Sequence, residues 1–229
     1  MIPANLQAVQ TRIAQACERA GRPPASVRLL AVSKTFDADA VRQAWAVGQR
    51  AFGENYVQEG VDKIRQLQAS DGIEWHCIGP LQSNKTRLVA EHFDWVHTID
   101  RLKVAQRLAE QRPPGLAPLQ VCVQVNVDGG PNKSGVVPEA ALELARAVAA
   151  LPQLRLRGLM CIPEPAPDFE HACEVFGRAR ALFDRLRAQG LELDTLSMGM
   201  SDDLESAIAS GSTMVRVGSA IFGARYYPD

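Results

Sequence analysis

The sequence has no long apolar run. No stretch approaches the roughly 20 residues that a bilayer-spanning helix needs, so no membrane span is expected. It also lacks an excess of charge of either sign. Lysine plus arginine number 25 and aspartate plus glutamate 26, a formal net charge of −1. Such a chain presents no global basic field to draw nucleic acid or an acidic membrane surface. The start, Met1-Ile2-Pro3-Ala4-Asn5, has neither the basic region nor the apolar stretch of a secretory signal. Cysteine is sparse: Cys17, Cys77, Cys122, Cys161 and Cys173 are odd in number and form no C-x-x-C pair. That usage speaks against a disulfide framework and for a reducing compartment, which makes the cytoplasm the expected location. His76, His92, His97 and His171 show no metal-ligand spacing, and no G-x-S-x-G or comparable nucleophile motif occurs.

What is present is an alternation. Apolar runs at 27–33, 50–53, 74–78, 95–99, 119–125, 154–161, 195–197 and 213–217 alternate with helix-like segments at 38–47, 57–68, 84–91, 102–110, 138–150, 169–189 and 202–209. A further amphipathic stretch, 5–20, precedes the first run. Strand–helix alternation implies βαβ units and a parallel sheet. Eight strands in 229 residues fit a closed barrel better than a doubly wound sheet of five or six strands. The expected fold is therefore α/β, a single (β/α)8 TIM barrel over 1–229 with an extra N-terminal helix.

In such barrels the site forms at the C-terminal ends of the strands, with a phosphate pocket after strands 7 and 8. The residues in those positions are Lys34 after run 1, Gly53-Glu54-Asn55-Tyr56 after run 2 and Gly79-Pro80-Leu81-Gln82-Ser83 after run 3. Run 7 leads to Ser197-Met198-Gly199-Met200-Ser201, and run 8 to Arg216-Val217-Gly218-Ser219. Gly199 and Gly218 permit close backbone approach, Ser201 and Ser219 offer hydroxyls, and exposed N–H groups at a helix start favour an anion. Ser201 reads equally as an N-cap, with Asp202 and Asp203 complementing the helix dipole.

Only five lysines stand against 20 arginines, and Lys34 alone directly ends a predicted core strand. A desolvated lysine amine loses its proton more easily and becomes a Schiff-base nucleophile; the bland alternative is a strand-end lysine reaching out to water. Strand 8 closes on strand 1 in a barrel, so Lys34 would neighbour the phosphate cradle. An aldehyde-reactive lysine beside a phosphate pocket describes a site for pyridoxal 5′-phosphate. Lys63 falls on a predicted outer helix. His76 either lines the site or is a satisfied core histidine, and Trp45 and Trp75 read as packing residues. The loop Asp128-Gly129-Gly130-Pro131-Asn132-Lys133-Ser134-Gly135 is not a P-loop, because the glycine before the lysine is missing and Pro131 removes an amide. Lys133, in that glycine-rich loop, is either a solvated side chain or an amine that competes with Lys34 for the cofactor.

At these positions the chain resembles the pyridoxal-phosphate homeostasis family, small barrel proteins related to the N-terminal domain of alanine racemase and similar to the fold type III cofactor-binding barrel. The resemblance rests on Ala31-Val32-Ser33-Lys34-Thr35, Phe52-Gly53-Glu54-Asn55-Tyr56, Trp75-His76-Cys77-Ile78-Gly79-Pro80, Leu196-Ser197-Met198-Gly199-Met200-Ser201 and Val215-Arg216-Val217-Gly218. It implies that Lys34 forms the Schiff base, that Ser201, Gly218 and Ser219 hold the phosphate, and that Asn55 and Arg216 lie near the cofactor ring. It further implies a cytosolic monomer or weak dimer that carries or buffers the cofactor for vitamin B6 balance, without established catalysis, with apo forms of cofactor-dependent enzymes as recipients. The competing reading is an amino-acid racemase or decarboxylase on the same barrel. Those enzymes carry a further C-terminal domain, and here the chain ends at Tyr226-Tyr227-Pro228-Asp229 with no second acid–base residue evident. A third reading, a cofactor-free scaffold, predicts a colourless protein.

Overall fold

Eight short strands pair in the order in which they occur, each parallel to the next, and the eighth closes on the first. The computed structural model describes residues 1–130 and 134–224. Helix α1 (Ile2–Arg19) precedes the barrel, which then runs β1 (Arg28–Val32), α2 (Ala38–Ala46), β2 (Ala51–Glu54), α3 (Val57–Gln66), β3 (Glu74–Cys77) and α4 (Thr86–His92). It continues through β4 (Trp95–Ile99), α5 (Leu102–Gln111), β5 (Leu119–Gln124), α6 (Ala141–Ala149), β6 (Leu154–Met160) and α7 (Phe169–Ala188). β7 (Thr195–Ser197), α8 (Leu204–Ala209), β8 (Met214–Val217) and the one-turn α9 (Ser219–Phe222) complete it. None of the described helices is long and apolar enough to cross a membrane.

Two of the helices begin where the sequence supplies a side-chain partner for an orphan amide. The Asp37 carboxylate accepts from the Ala40 N–H at the head of α2, and Asp168 accepts from the His171 N–H at the head of α7. Single 3-10 turns at Ser83–Lys85 and Pro138–Ala140 lead into α4 and α6, which therefore start later than helical periodicity alone suggests. α1 packs outside the barrel against α8 and α9, and its Arg12 pairs with Glu205 of α8 at 2.6 Å.

Two apolar layers result. The larger lies between strands and helices and includes Phe52, Val61, Phe93, Leu108, Leu159, Phe176 and Leu186. The smaller is made by the strand residues of the opposite parity, among them Leu30, Val32, Trp95, Cys122, Met160 and Met214. Branched aliphatics commonly fill a barrel interior. Here His76, His97, Ser197 and Arg216, all buried, share that space. His76 stacks on Trp95 with ring centroids 5.1 Å apart. Four cysteines are buried and Cys173 is half-buried; all five are free thiols.

The β5–β6 register slips between Val121 and Cys122, so that Gly158 lands beside β7. A Cβ on Gly158 would lie 1.6 Å from the Thr195 carbonyl oxygen, an overlap only backbone movement relieves. Gly158→Ala should therefore cost more than a typical overpacking change, about 3 kcal/mol. A urea titration checks this: an unchanged midpoint would show that the two strands can part without cost.

Candidate functional site

The closing pair of strands builds the site. Leu30 and Ala31 of β1 pair with Arg216 and Val217 of β8, so the chain leaving β1 runs beside the chain leaving β8. The Gly218 α-carbon packs so closely on β1 that a Cβ there would meet the Val32 carbonyl oxygen at 3.1 Å. Between these turns lies a cavity of about 230 Å³. Lys34, Asn55, Ser201, Arg216, Gly218 and Ser219 all line it, with Val32, Ile78, Ile162 and Met200 as apolar wall and Asp202 at its exposed rim. The six residues put forward for cofactor binding within the described chain are thus brought to one cavity, whereas Glu54, Gly199 and His76 stand outside its lining. Lys133 lies outside the described residues.

One end of the cavity suits an anion. The Ser201 and Ser219 hydroxyl oxygens stand 3.5 Å apart. The first amides of α9 have no helical carbonyl to bond. Gly199 takes φ +98°, and a Cβ there would strike Ala207 Cβ at 2.6 Å, so only glycine brings this turn against α8. α8 begins at Leu204 with Asp203 in the cap position, so Ser201 stands outside the helix and its N-cap reading is not what the structure shows. The Asp203 carboxylate instead accepts the Met200 N–H at 2.7 Å. Arg12, which sequence reasoning did not single out, donates to the Ser201 carbonyl at 2.8 Å and so ties the turn to α1. No local pattern links Arg12 to Ser201; they meet only through the packing of α1 on α8.

Arg216 is buried, with 4% of its surface exposed. Its Nη1 donates to Ser197 Oγ at 2.8 Å and its Nη2 to the Cys161 carbonyl at 2.9 Å. No carboxylate forms an ion pair with it among the described residues, and Asp203 acts on it only at longer range. Burial lowers its pKa, yet a guanidinium keeps its proton in a protein. The result is a buried cation on the cavity wall that neutral acceptors hold. Asn55, which also lines the cavity, has its Oδ1 buried without a hydrogen-bond partner. An unpaired acceptor and an unneutralised cation facing one cavity both ask for a polar, anionic ligand.

Lys63 corrects the sequence reading most sharply. It belongs to a helix on the outer ring, as expected, but its side chain is buried, 4% exposed, beneath the Lys34 turn. Its ammonium donates to the Ser33 carbonyl at 2.7 Å, to Glu54 at 2.8 Å and to Glu59 at 2.6 Å. The Ser33 hydroxyl donates to the same Glu54 oxygen, and the Thr35 N–H to the same Glu59 oxygen, each at 2.6 Å. Both backbone neighbours of Lys34 are thereby anchored, and Thr35 is held at φ +67°, rare for a residue with a branched side chain. Gly60 makes this possible: a Cβ there would lie 2.6 Å from the Phe93 ring, so glycine lets α3 approach β2. Burial pushes the Glu54 carboxyl up to about 6 against the pull of Lys63. The Glu59/Lys63 spacing of four, across a glycine, was the signal available in the sequence.

His76 is a satisfied core histidine; it does not line the cavity. Its Nε2 lies 2.7 Å from Glu74 Oε1, its Nδ1 2.8 Å from His97 Nε2, and His97 Nδ1 lies 2.9 Å from Ser197 Oγ. Burial lowers the pKa of both imidazoles, to about 4 for His76. Both are neutral at pH 7.

Comparison with known proteins finds relatives over nearly the whole chain. Residues 4–226 fit the family model described as alanine racemase, N-terminal domain. A Pseudomonas aeruginosa protein named pyridoxal phosphate homeostasis protein is 58% identical over 226 residues, covering 99% of this chain and 96% of its own length. An Escherichia coli K12 protein of the same name is 57% identical over 225 residues, covering 97% and 96%. Among solved structures, PipY of Synechococcus elongatus with pyridoxal phosphate bound superimposes with a TM-score of 0.84 at 38% identity, covering 97% of this chain and all of that one.

The Lys63 cluster predicts a stability phenotype. Removing one partner of a buried ion pair costs roughly 3–5 kcal/mol, so Lys63→Met should be strongly destabilised. Without its cation the Glu54 carboxyl titrates higher still. A carboxyl whose folded pKa is raised contributes stability below its unfolded value, near 4.5, and loses it as pH climbs through the folded value. The deficit of Lys63→Met against wild type should therefore be larger at pH 8 than at pH 5. Equal deficits in urea titrations at the two pH values would refute this coupling.

Proposed function

Because the chain belongs to the pyridoxal phosphate homeostasis protein family, itself within the alanine racemase N-terminal domain family, we propose that its barrel mouth binds pyridoxal 5′-phosphate through Lys34 and holds it in reserve without turning over a substrate. The observation that carries this reading is the β1–β8 register, which sets a lysine, a paired-serine anion cradle and an unneutralised arginine around one cavity.

The cofactor brings an aldehyde that condenses with a primary amine, an aromatic ring and a phosphate. Lys34 supplies the amine from a turn whose backbone cannot shift, since Lys63 and Glu59 clamp Ser33 and Thr35. Ser201, Ser219 and the amides that follow Gly218 supply hydrogen bonds to the phosphate, and Gly218 leaves it room. Arg216 faces the ring, where a permanent positive charge discourages a proton on the ring nitrogen and so weakens any electron sink. Asn55 offers an acceptor at the other edge. Among the described residues lining the cavity, no histidine, tyrosine or cysteine stands opposite Lys34 as a second proton donor, and Asp202 sits at the solvent rim. These features support storage and delivery over turnover. Apo forms of enzymes that use the same cofactor are the recipients in this reading, which places the work in the cytoplasm.

Loading the protein with the cofactor, reducing it with borohydride and digesting it should put the retained mass on Lys34. Lys34→Ala should fold normally and retain none there. Ser201→Ala and Ser219→Ala should each weaken retention by roughly 1–3 kcal/mol, the scale of a charge-assisted hydrogen bond. Reduced label on some other lysine with Lys34 bare would place the site elsewhere.

Activity separates this reading from a racemase or decarboxylase. Incubation of the loaded protein with common L- and D-amino acids should leave enantiomeric composition and carbon dioxide release at background. Robust turnover that Lys34→Ala abolishes would make the protein an enzyme.

A further inference from the structure

Two neutral imidazoles lie buried in the interior beneath the cavity, and the proposed cofactor binding gives them nothing to do. They belong to one unbroken line of contacts. Arg216 Nη1 to Ser197 Oγ is 2.8 Å, Ser197 Oγ to His97 Nδ1 2.9 Å, His97 Nε2 to His76 Nδ1 2.8 Å, and His76 Nε2 to Glu74 Oε1 2.7 Å. Arg28 closes the far end on Glu74 at 2.8 Å. The line starts on the cavity wall at the C-terminal end of β8 and finishes at the first residue of β3, near the opposite rim of the barrel.

Both ends dictate which way the protons point. Arg216 can only donate, so Ser197 Oγ accepts from it, and the serine proton is free to go on to His97 Nδ1. His97 Nδ1 is then bare and Nε2 carries its hydrogen, which His76 Nδ1 accepts. His76 in turn carries its hydrogen on Nε2 and donates it to Glu74. The reverse order would require Glu74 to donate, hence to be protonated. Burial works towards that, but the hydrogen bond from His76 and the charge of Arg28 at 2.8 Å outweigh it and hold the Glu74 carboxyl below the ordinary carboxylate range. A doubly protonated imidazole is disfavoured by burial, with Arg28 and Arg216 adding repulsion from either end. Only one polarity satisfies every atom, with a cation at its head and a carboxylate at its foot.

We propose that Glu74, His76, His97 and Ser197 form a single oriented hydrogen-bond chain through the barrel that fixes the guanidinium of Arg216 on the cavity wall, with Ser197 and His97 as positioning residues for cofactor binding. The proposal deepens the reading of Arg216 given above and rests on it. The guanidinium is held at two points, the Ser197 hydroxyl and the Cys161 carbonyl, and without an oriented serine it could swing about the carbonyl contact alone. A serine whose own proton is committed to His97 cannot rotate, so Arg216 keeps one plane while its remaining N–H groups serve the cavity. His76 and His97 keep that serine oriented from below, where Trp95 stacks on His76 and Arg157 lies over Trp95 at 4.7 Å.

The test has two arms. In cofactor-free, nitrogen-15-labelled wild type at pH 7, long-range correlations should show His76 and His97 each with a protonated Nε2 and a bare Nδ1, and the Arg216 guanidinium signal should be resolved and slow to exchange. A proton on Nδ1 of either ring overturns the chain, whatever the cofactor does. In the second arm, Ser197→Ala and His97→Phe should fold, lose the slow Arg216 signal and bind pyridoxal 5′-phosphate about 10-fold more weakly. Label should still fall on Lys34 after borohydride. Folded variants that bind with wild-type affinity overturn the positioning role. Wild type that takes no label on Lys34 would defeat the proposed function, leaving the tautomer result to stand on its own.

Discussion

The closure of β8 onto β1 is the constraint on which the site depends. Four residue pairs, Arg28 with Met214 through Ala31 with Val217, set the register of the two strands. Because side chains alternate across a strand, a slip of one residue would turn Arg216 out of the interior and carry Gly218 and Ser219 away from the Lys34 turn. Small residues hold the register tight. The Val32 carbonyl leaves no spare room at Gly218, and Ala207 leaves none at Gly199. Lys34 is separated by more than 160 residues of chain from the serine pair and the arginine, yet they meet without any long loop having to reach for them.

The interior around this seam is more polar than a barrel needs for stability. Burying Lys63 with Glu54, and two imidazoles with Arg216 and Glu74, carries a desolvation cost that well-packed aliphatics would avoid. What the polar groups contribute is direction. Lys63 and Glu59 hold the backbone on either side of Lys34, and Ser197 holds the Arg216 guanidinium from below. Each reaches the cavity through a neighbour, so the lining itself stays simple. The two networks approach from different sides, one from α3 through the Lys34 turn and one from β3 and β4 through the barrel axis.

Much of this was legible in the chain. The alternation of apolar runs with amphipathic segments follows from a physical period, so eight strands, the barrel and the extra N-terminal helix came within a few residues of the observed bounds. The misplaced helix starts, at α4, α6 and α8, have a common cause. A 3-10 turn precedes α4 and α6, and the Asp203 carboxylate turns back to accept the Met200 N–H ahead of α8, so the chain is already tightly turned before each regular helix begins. Lys34, Asn55, Ser201, Arg216, Gly218 and Ser219 could be picked out because a barrel puts strand ends on one face. The Lys63 clamp was not legible because helical position alone says which ring a residue belongs to, and says little about what a long side chain reaches beneath it.

The sequence by itself determined which residues stand at strand ends, since periodicity and strand–helix order are local properties that the chain carries in its own spacing. It determined the chemical inventory as well: one strand-end lysine, two glycine–serine turns and an arginine at the end of the last strand. Only the tertiary structure decided partners. The Glu54–Lys63–Glu59 clamp, the Arg12 tie to Ser201 and the line from Glu74 to Arg216 join residues on different elements, at distances set by how closely helices and strands pack. A hydrogen bond forms or fails within a few tenths of an ångström, and that precision comes from side-chain volumes filling a closed barrel, which spacing along a chain does not encode.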